Sequence, residues 1–174
     1  MALGSNTKFY ETPNHPYQGE RIDGEASLLD RYGLKNKEEL WRTQSTLRSF
    51  RREARSLLGQ TEPGAAAQRA RDQFLARLRR IGVLGDDDGL GDVLALDVTD
   101  VLERRLQTVA YRQGLVNTPD QARQFIVHGH VTVRGARVTR PGYTVETAEE
   151  DHIDFDENSP LADDLHPERA GDQE

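Results

Sequence analysis

The sequence predicts an α+β protein in three parts. These are a mainly helical N-terminal domain with an extended arm over residues 1–100, a small helix-helix-β-hairpin module over residues 101–155, and a flexible acidic tail over residues 156–174. Three observations predict it. From Leu40 to Ile81, apolar residues recur at three- and four-residue spacing, the signature of helices that bury one face. Helix start and stop signals continue as far as Gly129. There the period changes to two, around an Arg134-Gly135 turn. The chain of 174 residues accommodates a medium domain plus a small one, and with 35% apolar and 30% charged residues its core is lean.

The elements follow in order. "ETPNHPY" holds two prolines and no periodicity, so the first 35 residues read as an extended arm, with a short helix over "GEASLLDRYG" ending at Gly33. In the next helix Asn36 caps, and Glu39 three residues later completes a capping box. Leu40, Leu47, Phe50, Ala54 and Leu57 form its apolar face, Arg48, Arg51, Arg52 and Arg55 lie off that face, and Gly59 ends it. Pro63 opens a second helix whose apolar positions are Ala67, Ala70, Phe74, Leu78 and Ile81. "GDDDGLGD" reads as a polar loop, and a third helix is predicted from Asp97, with Asp100 in its first turn, through to Gly114. Thr118, Pro119 and Gln121 give the next helix a cap, a first-turn proline and a capping box, and Gly129 stops it. Val131 and Val133 alternate toward a hairpin turn that returns through Val138, and "YTV" and "HIDF" supply further short strands.

Charge is segregated along this frame. The chain carries net −7, yet residues 42–80 hold ten basic and three acidic side chains, and residues 104–143 hold seven and one. Residues 81–103 hold seven acidic side chains and no basic one, and residues 144–174 hold twelve and one. Such blocks predict that the arginines face a polyanion while the carboxylates face solvent. Arginine outnumbers lysine 20 to 3 in an acidic chain, a composition resembling that of proteins from salt-loving archaea. The planar guanidinium fork holds phosphate bidentately. In high salt, where counterion release contributes little, that geometry must supply the affinity.

Other functions find little support. Zero cysteines exclude disulfides and thiolate zinc sites, and His128 and His130 lack an obvious third metal ligand. Asp86–Asp88 read as a solvated loop. No phosphate-binding glycine loop, nucleophile set or convergent carboxylate pair is present, so neither catalysis nor a cofactor is expected. No apolar run of membrane-spanning length and no signal-peptide core occur, so a cytoplasmic protein is expected.

Residues "RRL" at 104–106, "QAR" at 121–123, "HGHV" at 128–131 and "VRG" at 133–135 closely resemble the RNA-binding module named after small-subunit ribosomal protein four, the αL motif. The segments "YETPNHPYQGERI", "YGLKNKEELWR" and "RRIGVL", with "LALDVTDVLERRLQT", resemble the archaeal and eukaryotic branch of that ribosomal family, so the resemblance runs from Tyr10 to about Phe155. Two positions depart from the pattern. Gln107 stands where members often have Asp, which is expected to weaken a local cap, and Arg134 stands where Asn commonly begins the turn.

The resemblance implies a structural constituent of the small (30S) subunit that binds 16S ribosomal RNA directly and early, nucleating assembly of the body. It further implies contact with small-subunit ribosomal protein five, linked to translational accuracy, with messenger RNA where it enters the subunit, and with other 30S proteins. The expected RNA face comprises Arg42, Arg48, Arg51, Arg52, Arg55, Arg69, Arg77, Arg79 and Arg80 from the helical domain. The module adds Arg104, Arg105, Arg112, Arg123, His128, His130, Arg134, Arg137 and Arg140. An RNA-modifying or aminoacylating enzyme would need a catalytic domain where only arginine helices stand. A duplex-DNA reader would not need two separate basic blocks.

Overall fold

The computed structural model describes residues 9–59, 64–163 and 166–169. Helix α1 spans Gly19–Tyr32, longer than expected, so the extended arm ends at Gln18. Gly33, at φ 56°, closes it in the left-handed region, and a Cβ there would lie 2.8 Å from Gln107 Nε2, so only glycine fits. Helix α2 spans Lys37–Leu58 as the sequence predicts, with Asn36 Oδ1 accepting from the Glu39 amide at 3.2 Å. The capping box is only half used, because the Glu39 carboxylate turns toward Arg105 and Arg123 instead. Helix α3 spans Ala65–Arg80. Pro63 lies outside the described residues. The buried face of α3 is Phe74, Leu75 and Leu78, whereas Ala70 is exposed and Ala67 half-buried.

Two expectations about the middle of the chain are corrected. The polar loop contains helix α4, Leu90–Ala95, which buries Leu90 and Val93 and starts where Asp92 accepts from the Gly89 amide at 2.8 Å. The single helix expected from Asp97 to Gly114 is two: α5, Val98–Leu102, and α6, Leu106–Arg112. Its start agrees, with Asp100 accepting from the Asp97 amide at 2.7 Å. It breaks because Arg105 is extended and bridges to Thr144. The amides of Leu106 and Gln107 donate to the carbonyls of Tyr143 (2.7 Å) and Pro141 (3.2 Å) instead of to the preceding turn. The "YTV" segment is thus a single bridge rather than a strand.

Helix α7, Pro119–Val127, carries the expected Thr118 cap, accepting from Gln121 N at 3.1 Å. The Gln121 side chain reaches one residue further back, to the Asn117 amide, at 2.7 Å. Strands β1, Val131–Val133, and β2, Ala136–Arg137, form the predicted hairpin, with Arg134 (φ 51°) and Gly135 (φ 74°) both left-handed, as a type I′ turn requires. Strand β3, Ile153–Phe155, pairs antiparallel on the other side of β1, giving the order β2-β1-β3.

Three apolar clusters hold these elements. One joins α1, α2 and α5 through Tyr32, Leu40, Leu47 and Leu102. A second joins α2, α3 and α4 through Ala54, Leu57, Phe74, Leu78 and Val93. The third is the core of the small module, where α6 and α7 cover the sheet through Leu106, Ile126, Val131 and Val133. This last cluster also takes in Leu161, from a 3-10 turn over Pro160–Ala162. The tail expected to be solvated is therefore packed in part. Ser159 bonds His130 Nδ1 at 2.8 Å, and Asp156 accepts from Arg137 at 2.9 Å. Arg169 lies 5.1 Å over the Phe155 ring.

Candidate nucleic-acid interface

The fold divides the arginines into those it consumes and those it leaves available. Arg51 donates to the Leu96 carbonyl and ties α2 to the end of α4, so it does not share a free stripe with Arg48 and Arg55. Arg48 pairs with Glu11 of the arm at 2.6 Å. On α3, Arg77 crosses to Glu53 at 2.7 Å, and Arg79 donates to the carbonyls of Gly85 and Asp88 at 3.2 and 2.7 Å, shaping the acidic loop. Arg80 approaches Glu146 at 3.2 Å. Arg104 donates to Glu150 and to the Val145 carbonyl, and packs so close to Gly82 (φ 70°) that a Cβ there would sit 2.9 Å from its guanidinium carbon. Arg112 binds Glu103 through two nitrogens, at 2.9 and 3.1 Å.

Glu39 is the centre of the consumed set. It accepts from Arg105 at 2.7 Å and from both terminal nitrogens of Arg123, which also donates to the carbonyl of Gly33 and to Gln107 Oε1. Burial pushes the Glu39 carboxyl up, but the two guanidiniums outweigh it and hold the group below the usual carboxylate range. Burial lowers the pKa of Arg105, and Glu39 opposes that shift.

Gln107, far from weakening a cap, is fully buried. Its amide donates to the carbonyls of Gly33 and Pro119, both at 2.8 Å, and lies 3.3 Å from that of Tyr32, joining the end of α1 to the start of α7. An acceptor-only aspartate could not make these bonds.

The available cations are fewer. Among the described residues the side chains of exposed Arg52, Arg55, Arg69 and Arg140 have no ion-pair or hydrogen-bond partner, nor does that of half-buried Arg71, which stands outside the RNA face expected from the sequence. Arg42 is 58% exposed, 3.9 Å from Glu38, with Tyr10 beneath it. At the hairpin Arg134 is exposed, its guanidinium donating to the Ala148 carbonyl at 3.1 Å, while Arg137 donates to Asp156. His128 is exposed, and its ring meets that of His130 edge-on at 6.2 Å. Although His130, Thr132 and Arg134 alternate with buried Val131 and Val133, they do not form one exposed row. Thr132 is covered by β3 and donates to the Asp154 carbonyl at 3.2 Å.

The consumed and available groups meet in a groove of about 680 Å³ between α2 and the 139–144 segment, lined by Glu39, Arg42, Thr46, Arg105, Arg123, Thr139, Arg140 and Thr144 among others. Four arginines against one carboxylate make it cationic on an acidic chain. Donors in fixed positions beside exposed guanidiniums suit an acceptor-only polyanion such as a phosphodiester backbone.

Residues 104–153 match the S4 domain family. Over the whole length, the chain is 72% identical across 171 residues to a small ribosomal subunit protein uS4 from Natronomonas pharaonis, covering 98% of each. It is 68% identical to the uS4 of Haloarcula marismortui over 174 residues, 100% of each chain. Against the uS4 of Methanococcus aeolicus identity is 49% over 165 residues, 94% of this chain and 92% of the relative. The halophile-like composition thus accompanies greater similarity to the halophilic relatives than to the methanogen. With a domain match over the module and full-length similarity at these levels, the chain belongs to the small ribosomal subunit protein uS4 family.

Proposed function

We propose that this chain binds 16S ribosomal RNA directly through Arg52, Arg55, Arg69 and Arg71 on α2 and α3, and through Arg42, Arg134, Arg140 and His128 around the module. One observation carries the reading: the fold consumes many of its arginines internally, and of the six whose side chains have no ion-pair or hydrogen-bond partner among the described residues, five (Arg52, Arg55, Arg69, Arg71 and Arg140) fall in the two basic blocks, Arg31 on α1 being the sixth. The acidic surfaces then point away from phosphate. As a uS4 family member the chain is a structural ribosomal protein and not an enzyme. Two of its three clusters share helix α2, which suits a body that fixes the angle between RNA helices.

The finer roles implied by the resemblance belong to the same proposal. They are early nucleation of the subunit body, contact with ribosomal protein five that tunes translational accuracy, contact with incoming messenger RNA and other 30S proteins, and cytoplasmic residence within the small subunit. Among the described residues no helix is long and apolar enough to cross a membrane.

The test is affinity for a junction fragment of small-subunit RNA across salt concentrations. Replacing Arg52, Arg55 and Arg69 with Gln should weaken binding and lower the salt slope by about 0.7–0.9 for each phosphate no longer neutralised. An unchanged slope and affinity would refute the assignment. Subunits reconstituted with and without the chain, read for misincorporation, test the accuracy role.

A further inference from the structure

We infer that the groove between α2 and the 139–144 segment is a ribose-reading subsite: it seats one stretch of RNA backbone and accepts a hydrogen bond from its 2′-hydroxyl. The inference rests on the RNA-binding reading above and adds what part of the RNA this groove recognises, and how.

Each wall of the groove has different groups still to offer. Arg105 and Arg123 line the groove but are held by Glu39, so they form a rigid floor. Arg42 on the α2 side and Arg140 on the loop side remain, and the Arg140 guanidinium has no partner among the described residues. Both present N–H groups only, which suits phosphate oxygens.

The α2 wall offers something different at Thr46. Its hydroxyl proton is already donated to the Arg42 carbonyl, at 3.1 Å, one helical turn back. Thr43, deeper in the wall, does the same to the Glu39 carbonyl, also at 3.1 Å. With that proton committed, the exposed Thr46 oxygen is an acceptor, and it lies among cations that suit an anion. A phosphodiester has no donor and cannot bond it. A ligand that is anionic and also carries a hydroxyl donor beside its phosphate satisfies both walls. The RNA backbone is such a ligand, and DNA lacks the hydroxyl. The groove volume of about 680 Å³ falls within the range of ordinary ligand clefts, large enough for a nucleotide's sugar and phosphate.

A deoxy-interference experiment on the full chain tests this. A small-subunit junction RNA carrying random 2′-deoxy substitutions is partitioned by wild type, Thr46→Val, Thr46→Ser and Arg140→Gln, with circular dichroism melts verifying that each variant folds. Wild type should reject RNAs that lack the 2′-hydroxyl at a small set of positions. Thr46→Val should abolish that rejection and bind unsubstituted RNA several-fold more weakly, and Thr46→Ser should restore both. Arg140→Gln should weaken binding about tenfold, substituted and unsubstituted RNA alike. An interference pattern identical in wild type and Thr46→Val would overturn the inference while leaving RNA binding standing. Failure of the wild type to retain the RNA at all would overturn both.

Discussion

Glu39→Gln isolates the contact that fastens α2 to the RNA-binding module. In the native protein one carboxylate serves two guanidiniums, Arg105 and Arg123, that lie 66 and 84 residues away in sequence. The three side chains are only 10–20% exposed, so solvent screens them little. Glutamine keeps the shape and one acceptor oxygen but leaves two close cations without a counter-charge. Removing one partner of a buried ion pair costs about 3–5 kcal/mol, and the retained acceptor places this change near 3. For a chain of this size each kcal/mol lowers Tm by about 2–4 °C, so a fall of about 6–12 °C is expected by circular dichroism at fixed molar salt. Arg52→Gln, which also changes net charge by one but at an unpartnered surface position, should move Tm little.

The pH dependence supplies a second reading of the same contact. Glu39 is held below its ordinary value of 4.5, so its stabilisation is present above that value and is lost as pH falls through the lower folded one. The gap between wild type and Glu39→Gln should therefore narrow below pH 4.5. A Glu39→Gln melt within about 2 °C of wild type would refute the reasoning, showing that solvent or a rearranged neighbour compensates both cations.

Other outcomes follow from the same geometry. Gln107→Asp sets an acceptor-only side chain against the carbonyls of Gly33 and Pro119 and should cost about 2–3 kcal/mol in chemical denaturation, against the expectation from family pattern alone. Truncation after Phe155 removes buried Leu161 and should destabilise the module by about 1.5–3 kcal/mol, whereas truncation after Asp163 spares Leu161 but loses the Arg169 contact with the Phe155 ring and the Gln121–Glu168 bonds, and should cost about 1 kcal/mol in thermal melts. Arg134→Asn relieves a non-glycine left-handed position and should raise stability by roughly 1 kcal/mol, measured by denaturant titration. Melts from low to molar salt should show Tm rising, because the carboxylate excess behind the net charge of −7 is screened; a flat profile would count against adaptation to high salt.

The sequence by itself determined the elements whose signals are local. Helix α2, helix α7 with its Thr118 cap and the hairpin at Arg134-Gly135 were all legible, because a cap, a helical face and a tight turn are satisfied within a few residues of chain. It also determined that most of the arginines occur in two blocks. Only the tertiary structure decided where the helix beyond Asp97 would break, since the Tyr143 and Pro141 carbonyls that replace its internal bonds come from a segment more than 30 residues later. The same holds for α4, whose six residues are too short to show a period and are fixed by burying Leu90 and Val93. Helical spacing places Arg51 beside Arg48 and Arg55, but only packing shows that Arg51 turns to Leu96, or that one glutamate holds both Arg105 and Arg123. A guanidinium's long side chain reaches whichever carbonyl or carboxylate the fold brings within range, so which arginines remain for RNA is decided by distant partners and not by the arginines' own spacing.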